Sequence, residues 1–194
     1  KYWMHNGFIN FGNEKMSKSL GNVVYAKDMI AQYGGAVTRM VILSAHYRQP
    51  VNFTEETVNA AISEINKINM AYKQASLKLQ LARVDLSKGK PLYIEPFLNA
   101  LADDLNTANA LFEVFNIVKV INQETRLPNC DLVKLNDYFK TLSDMLSILG
   151  VKLEYVSLSE DDIDLYNKYL ESKANKDFAK SDEIRSELIK RKIM

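Results

Sequence analysis

The stretch TEETVNAAISEINKINMAYKQASLKLQLA, residues 54–82, decides the fold class because its apolar residues recur at spacings of three and four. This spacing is typical of a helix that buries one side. Thr54, followed by two glutamates, resembles a helix N-terminal cap. We therefore expect one long amphipathic helix. Its apolar stripe consists of Val58, Ala61, Ile65, Ile68, Tyr72, Ala75, Leu79 and Ala82.

The sequence on both sides of this stretch is also mostly helical. Three further apolar-periodic segments, which end at Gly150, predict an antiparallel four-helix bundle over residues 54–150. A final helical pair begins at Ser159, which forms the pattern of a capping box with Asp162. Upstream, the pattern predicts a strand in residues 2–11, a short helix that ends at Gly34 and Gly35, and a buried helix in 36–47 that is broken at Pro50. The predicted fold class is mainly α.

Composition excludes several kinds of protein. The 194 residues include 47% hydrophobic and 25% charged residues, and one cysteine, Cys130, so no internal disulfide can form. No apolar run is long enough for a membrane span, and no signal peptide is visible, which favours a cytoplasmic protein. Because the chain begins with Lys1, we expect it to be part of a longer protein. Residues 1–50 hold six Lys or Arg against two Asp or Glu, whereas the whole chain has a net charge of +1.

The basic excess surrounds the loop GNEKMSKSLGN, residues 12–22. Lys15 and Lys18 can place two compact cations around a polyphosphate, and the hydroxyls of Ser17 and Ser19 can donate to phosphate oxygens. The loop lacks the spacing of a P-loop. Such a cluster suits nucleotidyl or phosphoryl transfer, in which charge develops on phosphate oxygens. A solvated surface loop is the alternative interpretation.

The string KMSKS, residues 15–19, resembles the second signature of class I aminoacyl-tRNA synthetases. YWMHNGFINFGNEKMSKSLGN, residues 2–22, is similar to the matching stretch of the cysteinyl-tRNA synthetase family. SAHYRQPVNF, LADDLNTANA and KANKDFAKSDEIRSEL resemble further segments of that family, so the resemblance covers nearly the whole chain. It implies a C-terminal fragment from the KMSKS signature onward, with the end of a Rossmann-type catalytic core, an antiparallel helical bundle and a C-terminal helix pair.

The resemblance assigns the ATP contact and catalytic role first to Lys18 and then to Lys15. It also places Met16, Ser17 and Ser19 in the ATP site: Met16 packs the loop against the body of the protein, and Ser17 and Ser19 donate to ATP. The family also uses a His-Ile-Gly-His signature and a zinc ion that selects the cysteine thiol, and neither has a match in this chain. The family's zinc ligands would lie upstream of residue 1, so we expect no metal site here and no cysteine activation by this chain alone. We read His5, His46 and Cys130 as structural.

The resemblance also indicates tRNA contacts. It places Arg39, His46 and Arg48 near the inner corner of the tRNA, where they could meet phosphates. A salt bridge or a solvated charge is the alternative for both arginines. Asp103 and Asp104 could form a carboxylate pair for acid–base work, but we favour helix capping at the break DDLNT, residues 103–107. The anticodon candidates, with a core position as the alternative for the aromatic residue, are Lys173, Phe178, Asp182 and Arg185.

The implied domains are the end of the catalytic core in residues 1–52, a helical bundle of the DALR type in 53–158, and incomplete anticodon-recognition helices in 159–194. The implied function is the ATP-dependent ligation of L-cysteine to tRNA-Cys through cysteinyl-adenylate, in protein biosynthesis, by a monomer. Two alternatives stay open at this point. One is another class I synthetase, such as the methionyl or arginyl enzyme, although the run WMHNG before the loop argues against it. The other is a stand-alone tRNA-binding helical module without catalysis.

Overall fold

A computed structural model describes most of the chain. It confirms the mainly α fold class, because helices make up most of the described chain and the strands are short. Of Glu14 and Lys15 only the backbone is described. The residues outside the description are Tyr2, Asn13, Lys18, Leu20, Asn22 and Met194.

A small three-stranded sheet lies at the N-terminal end, with β1 (Ile9–Phe11) between β2 (Glu14–Lys15) and β3 (Val51–Phe53). β1 and β2 form an antiparallel hairpin, whereas β1 and β3 run parallel. The predicted strand over residues 2–11 is longer than the observed one, since among the described residues of this range only 9–11 belong to β1. β3 was not predicted at all. A Cβ at Gly7 would clash with the carbonyl of Gln49, so this approach of the chain to β3 requires glycine.

Two helices connect β1 and β2 to β3: α1 (Ala26–Tyr33) and α2 (Gly35–Leu43). The chain passes from one helix to the next through Gly34, whose φ of 83° favours glycine. The predicted continuation of α2 to residue 47 is wrong. The helix ends at Leu43, where Ser44 closes the last turn by donating from its hydroxyl to the carbonyl of Val41 over 2.8 Å.

The long helix predicted from residues 54–82 is α3 (Glu55–Leu81). Thr54 caps it, and its hydroxyl accepts from the backbone N–H of Thr57 over 3.2 Å. Seven of the eight residues of the predicted stripe are buried, and the exception is Ala82 at the C-cap. The predicted bundle is completed by α4 (Glu95–Ala102), α5 (Thr107–Arg126) and α6 (Leu132–Ile148).

These helices enclose the main core. Ile68 and Leu79 of α3, Ile121 of α5, and Leu142 and Met145 of α6 are fully buried in it. Several aromatic rings also meet there: Tyr72 and Phe139 stack with their centroids 4.7 Å apart. Burial of this apolar surface is the main stabilising contribution to the bundle.

The final helical pair, α7 (Glu160–Ala174) and α8 (Phe178–Lys190), has a small core of its own around Ile184, Leu188 and Ile193. The capping box predicted for Ser159 and Asp162 is present at the start of α7. Gln80 of α3 fastens the connector that leads into α7. Its amide donates to the carbonyl of Val156 over 3.0 Å and accepts from the N–H of Leu158 over 2.9 Å.

Candidate functional site

The lysine-serine loop follows directly from the β1–β2 hairpin. Phe11 pairs with Glu14, and Gly12 turns the chain with a φ of 60°. Beyond β2, the hydroxyl oxygens of Ser17 and Ser19 lie 3.2 Å apart, so two potential phosphate donors stand side by side. Lys18, the residue expected to contact ATP most, lies outside the described residues.

Met16 lies on the inner side of this loop. It borders a cavity of about 90 Å³ whose other walls include Ile9, Val24, Met29 and Phe53. The side chain is half-buried, which places it against the body formed by the sheet and α1. The contact of Met16 with ATP stays a prediction, as do those of Ser17 and Ser19.

A wider cleft of about 430 Å³ opens between the sheet, the end of α2 and the turn that joins α4 to α5. Its walls are largely apolar, and Ile42, Leu105 and Ile148 contribute to them. Arg39 is the cation that borders it, among the described lining residues. The guanidinium of Arg39 passes close over Gly150, since a Cβ there would lie 3.0 Å from its Cζ. Arg39 therefore lies at the junction of α2 and the end of α6.

The turn between α4 and α5 carries the clearest polar cluster in the chain. Asp104 accepts from the hydroxyl of Tyr47 over 2.8 Å and from Arg48 over 2.9 Å at Nε and 3.2 Å at the second nitrogen. The ring of His46 is 2.9 Å from the backbone oxygen of Asp104 through Nε2. We name His46, Tyr47, Arg48 and Asp104 the Asp104 cluster.

The chemistry of the Asp104 cluster follows from these contacts. Hydrogen bonds from Arg48 first, and from Tyr47 second, lower the pKa of the Asp104 carboxyl. The same carboxylate raises the pKa of Tyr47 and of Arg48 through its hydrogen bonds. Because the Nδ1 atom of His46 lies 3.3 Å from the backbone N–H of Arg48, Nδ1 is the acceptor and Nε2 carries the proton. The cluster holds three consecutive residues against one turn.

The turn itself is strained. Asp104 and Leu105 have φ values of 51° and 55°, in the left-handed region that costs energy for residues other than glycine. Helix capping at the DDLNT break, residues 103–107, is confirmed, although not for Asp104. Asp103 is the C-cap residue of α4, and Asn106 caps α5, with its side chain accepting from the N–H of Asn109 over 3.1 Å. The Asp104 carboxylate is occupied by Tyr47 and Arg48 instead.

The cluster also changes the expectation for the tRNA-facing cations. Arg48 forms the salt bridge that was the alternative interpretation, at 2.9 Å to Asp104. Its guanidinium also lies over the ring of Tyr47, with 5.2 Å between Cζ and the ring centroid. Arg39 forms no ion pair with a carboxylate in the described part of the chain. Among the described residues, Arg48 thus has a carboxylate partner that would compete with a phosphate, whereas Arg39 has none.

At the other end of the molecule, the anticodon candidates lie near the turn that joins α7 and α8. Phe178 is the first residue of α8 and is 67% exposed, so a core position for this ring is wrong. Asp182 and Arg185 follow at spacings of four and three, which places all three on one face of α8. Across the turn, Lys173 lies over the ring of Tyr169, with 5.9 Å between its Nζ and the ring centroid.

The described residues do not fit a zinc ion. No three of their His, Cys, Asp and Glu side chains come close enough together to hold a metal. Cys130 is half-buried and not disulfide-bonded, and His46 belongs to the Asp104 cluster. None of the described helices is long and apolar enough to cross a membrane.

Comparison with known proteins agrees with this architecture. Residues 1–63 match the family model "tRNA synthetases class I (C) catalytic domain", and residues 96–154 match the "DALR domain" model. A structure titled as the ternary complex of Agrobacterium radiobacter K84 agnB2 LeuRS-tRNA-LeuAMS shares the fold over 73% of this chain and 20% of that chain, with a TM-score of 0.56 and 16% identity. These matches support a fragment of a class I aminoacyl-tRNA synthetase.

Within that class, the chain matches the C-terminal region of the cysteinyl-tRNA synthetase family. It is 37% identical over 202 aligned positions to proteins named cysteine–tRNA ligase from Bacillus cereus (strain B4264) and Bacillus thuringiensis (strain Al Hakam). The alignment covers 100% of this chain and 43% of each relative. The chain thus spans less than half the length of the relatives it matches.

Proposed function

We propose that the whole protein is a cysteine–tRNA ligase, which joins L-cysteine to tRNA-Cys through cysteinyl-adenylate at the expense of ATP. One observation carries the proposal: the 37% identity extends over the entire chain, including the KMSKS loop and the turn that carries Asp104. The proposed division of labour is a catalytic part in residues 1–52, a bundle in 53–158 and anticodon recognition in 159–194. We further propose that the protein is a cytoplasmic monomer.

In the proposed reaction, a carboxylate oxygen of cysteine attacks the α-phosphorus of ATP, and pyrophosphate leaves. Lys18 and Lys15 stabilise the charge on the phosphate oxygens, while the adjacent hydroxyls of Ser17 and Ser19 donate to them. Met16, which is packed against the body, anchors the loop as it closes. A ribose hydroxyl at the tRNA terminus then attacks the acyl carbon and displaces AMP. Proximity and charge stabilisation suffice, with no protein nucleophile.

The side chains proposed to contact tRNA differ in the partners they have within the chain. Arg39, which has no acidic partner among the described residues, contacts a backbone phosphate. Arg48 and His46 act chiefly by holding the α4–α5 turn and contribute to tRNA contact from that position. The exposed face of α8 with Phe178, Asp182 and Arg185, together with Lys173, meets the anticodon.

The family's zinc ion would bind a cysteine thiol as a soft ligand. Since the described residues offer no site for it, no step is assigned to it here.

The test is cysteine-dependent exchange between ATP and pyrophosphate by the whole protein. Lys18→Ala should slow the exchange by about a hundredfold or more, because it removes a charge that acts on the transition state. Lys27→Ala is the matched control, since Lys27 is the next lysine along the sequence and lies on α1 with its ammonium over Tyr25. An unchanged rate in Lys18→Ala would disprove the role given to Lys18.

The same assay separates the two alternatives. Exchange that depends on methionine or arginine instead of cysteine would indicate another class I synthetase. A protein that binds tRNA and catalyses no exchange with any amino acid would be a stand-alone tRNA-binding module.

A further inference from the structure

A groove runs along α3 where the final helical pair and the end of α5 approach it. One part is a cavity of about 530 Å³ between α3 and the α7–α8 pair. A second part, of about 420 Å³, extends toward the end of α5. Gln74, Leu77 and Tyr166 border both cavities, so the two lie next to each other. We call the two together the Tyr166 groove. Each part falls in the size range of ligand-binding cavities, about 300–1,000 Å³.

The charge of this groove has one sign. None of its described lining residues is acidic. Five cationic side chains border it: Lys73, Lys78, Arg126, Arg185 and Lys192. The whole chain has a net charge of only +1, so this is a local concentration. Lys78 is engaged, because its ammonium donates to the carbonyls of Thr125 over 2.8 Å and Leu127 over 3.3 Å.

The other four cations of the groove form no ion pair with any carboxylate in the described part of the chain. Cations that line a cavity without acidic partners favour an anionic ligand there. A single small anion would not need charges on three separate elements, α3, the end of α5, and α8 with its C-terminal extension. The arrangement fits an extended polyanion whose charges are spaced along a backbone.

Tyr166 supplies the second kind of contact. Its ring is half-buried, is supported by the small core of Ile184 and Leu188, and borders both cavities. On the same face of α7, Tyr169 follows with its ring centroid 5.9 Å from that of Tyr166. Lys173 lies over Tyr169 in turn, so an aromatic and cationic path leads from the groove to the α7–α8 turn. A held aromatic ring within a basic groove is the arrangement on which unpaired bases stack.

We propose that the Tyr166 groove binds an unpaired segment of RNA, with one base stacked on Tyr166 and backbone phosphates at Lys73, Arg126, Arg185 and Lys192. The inference rests on the proposed function in that tRNA is the RNA that supplies the segment. The base must be unpaired, because in a duplex its faces are covered by neighbouring base pairs. The groove therefore prefers a single strand to a duplex of the same sequence.

The test measures binding of the chain to three fluorescent probes by anisotropy: a tRNA-Cys transcript, a short single-stranded RNA, and the same RNA annealed to its complement. Tyr166→Leu should weaken binding of tRNA and single-stranded RNA by roughly tenfold. Tyr166→Phe, which keeps the ring, should bind as the unmodified chain does. Leu165→Ala is the control, because Leu165 packs against the same small core and does not border the groove.

A second pair of variants tests the charges without touching the core. The double variant Lys73→Gln, Arg126→Gln should reduce the slope of log affinity against log salt by about 1.4, because it removes two phosphate contacts with a single strand. Lys67→Gln, also on α3 and outside the groove, should leave the slope unchanged.

The inference is overturned if Tyr166→Leu and Leu165→Ala bind equally, if duplex and single strand bind equally, or if polyglutamate competes as well as RNA. The last result would assign the groove to an acidic peptide. These failures are distinguishable from failure of the proposed function. If the protein catalyses cysteine-dependent exchange and the groove variants bind tRNA normally, the proposed ligase function stands and the proposed RNA site is wrong. If RNA binding depends on Tyr166 but the protein catalyses no exchange, the proposed RNA site stands and the proposed ligase function is wrong.

Discussion

Asp162 should hold the two C-terminal helices together, and Asp162→Asn should loosen them. One carboxylate oxygen accepts from the backbone N–H of Ser159 over 3.0 Å and from its hydroxyl over 2.8 Å. The other accepts from Arg191, just after α8, over 2.8 Å. An asparagine can offer only one acceptor, so its amide must face either the Ser159 N–H or the Arg191 guanidinium. The substitution therefore breaks the capping box or the link between the two helices.

The magnitude follows from the pKa of Asp162. The hydrogen bond from Arg191, followed by those from Ser159, lowers this pKa from 3.8 to about 2. At about 1.4 kcal/mol for each tenfold change in acidity, this corresponds to roughly 2.5 kcal/mol of folding free energy. The Asp162 side chain is only 15% exposed, but Arg191 is 42% exposed, so solvent screening reduces the value to about 1–2 kcal/mol.

The assay is amide hydrogen exchange of α8. A loss of about 1–2 kcal/mol in local stability should speed exchange of its protected amides by roughly 5- to 30-fold in Asp162→Asn, while amides of α5 keep their protection. Asp161→Asn is the matched control. It removes a charge from the same first turn of α7 and so reports the contribution of the helix dipole alone.

The pH dependence gives an independent check. Because the folded state lowers the pKa of Asp162, its stabilisation is complete above the unfolded value near 4. It is then lost as the pH falls toward about 2. Protection of α8 in the unmodified chain should therefore converge on that of Asp162→Asn over this interval. If Asp162→Asn exchanges as slowly as Asp161→Asn at neutral pH, the role assigned to Asp162 is wrong.

Three further predictions concern other contacts. Gln80→Leu should lower the stability of the α7–α8 pair by about 1–2 kcal/mol, because it removes both hydrogen bonds to the connector. Amide hydrogen exchange of α8 measures this loss, with Gln74→Leu as the control variant. Gly7→Ala should lower the free energy of unfolding in urea by about 1–3 kcal/mol through its clash with Gln49, whereas Gly35→Ala, which meets no atom within 4 Å, should not. Arg48→Gln should raise the pKa of the Asp104 carboxyl toward its ordinary value, as followed by carbon NMR titration. Arg39→Gln should leave that pKa in place, and the opposite pattern would contradict the assigned contacts.

Helical periodicity made most of the fold predictable. The stripe from Val58 to Leu79 is buried as expected, because spacing along a helix determines which residues share a face. The capping box at Ser159 was also readable, since it involves residues only three apart. Such local patterns need no knowledge of the rest of the chain.

Features that depend on distant partners were missed. β3 has only three residues, and it is a strand because β1, about 40 residues away, offers parallel hydrogen bonds. The Asp104 cluster joins residues 56 to 58 positions apart, and each half alone gave a different prediction: phosphate contact for Arg48 and helix capping for Asp104. The sequence does show two polar motifs, in loops on either side of a long helix. Only the tertiary structure shows that Arg48 of one motif pairs with Asp104 of the other.

The Asp104 cluster connects the two regions of the chain that match family models, residues 1–63 and 96–154. Arg48 lies three residues before the start of β3, and β3 pairs with β1, whose hairpin leads into the KMSKS loop. Asp104 lies in the turn that starts α5, which is packed in the main core. Because a strained turn persists only when its surroundings hold it, the bonds from His46, Tyr47 and Arg48 favour one position of that turn. The position of the sheet under the loop is therefore coupled to the helical bundle through side chains, in addition to α3.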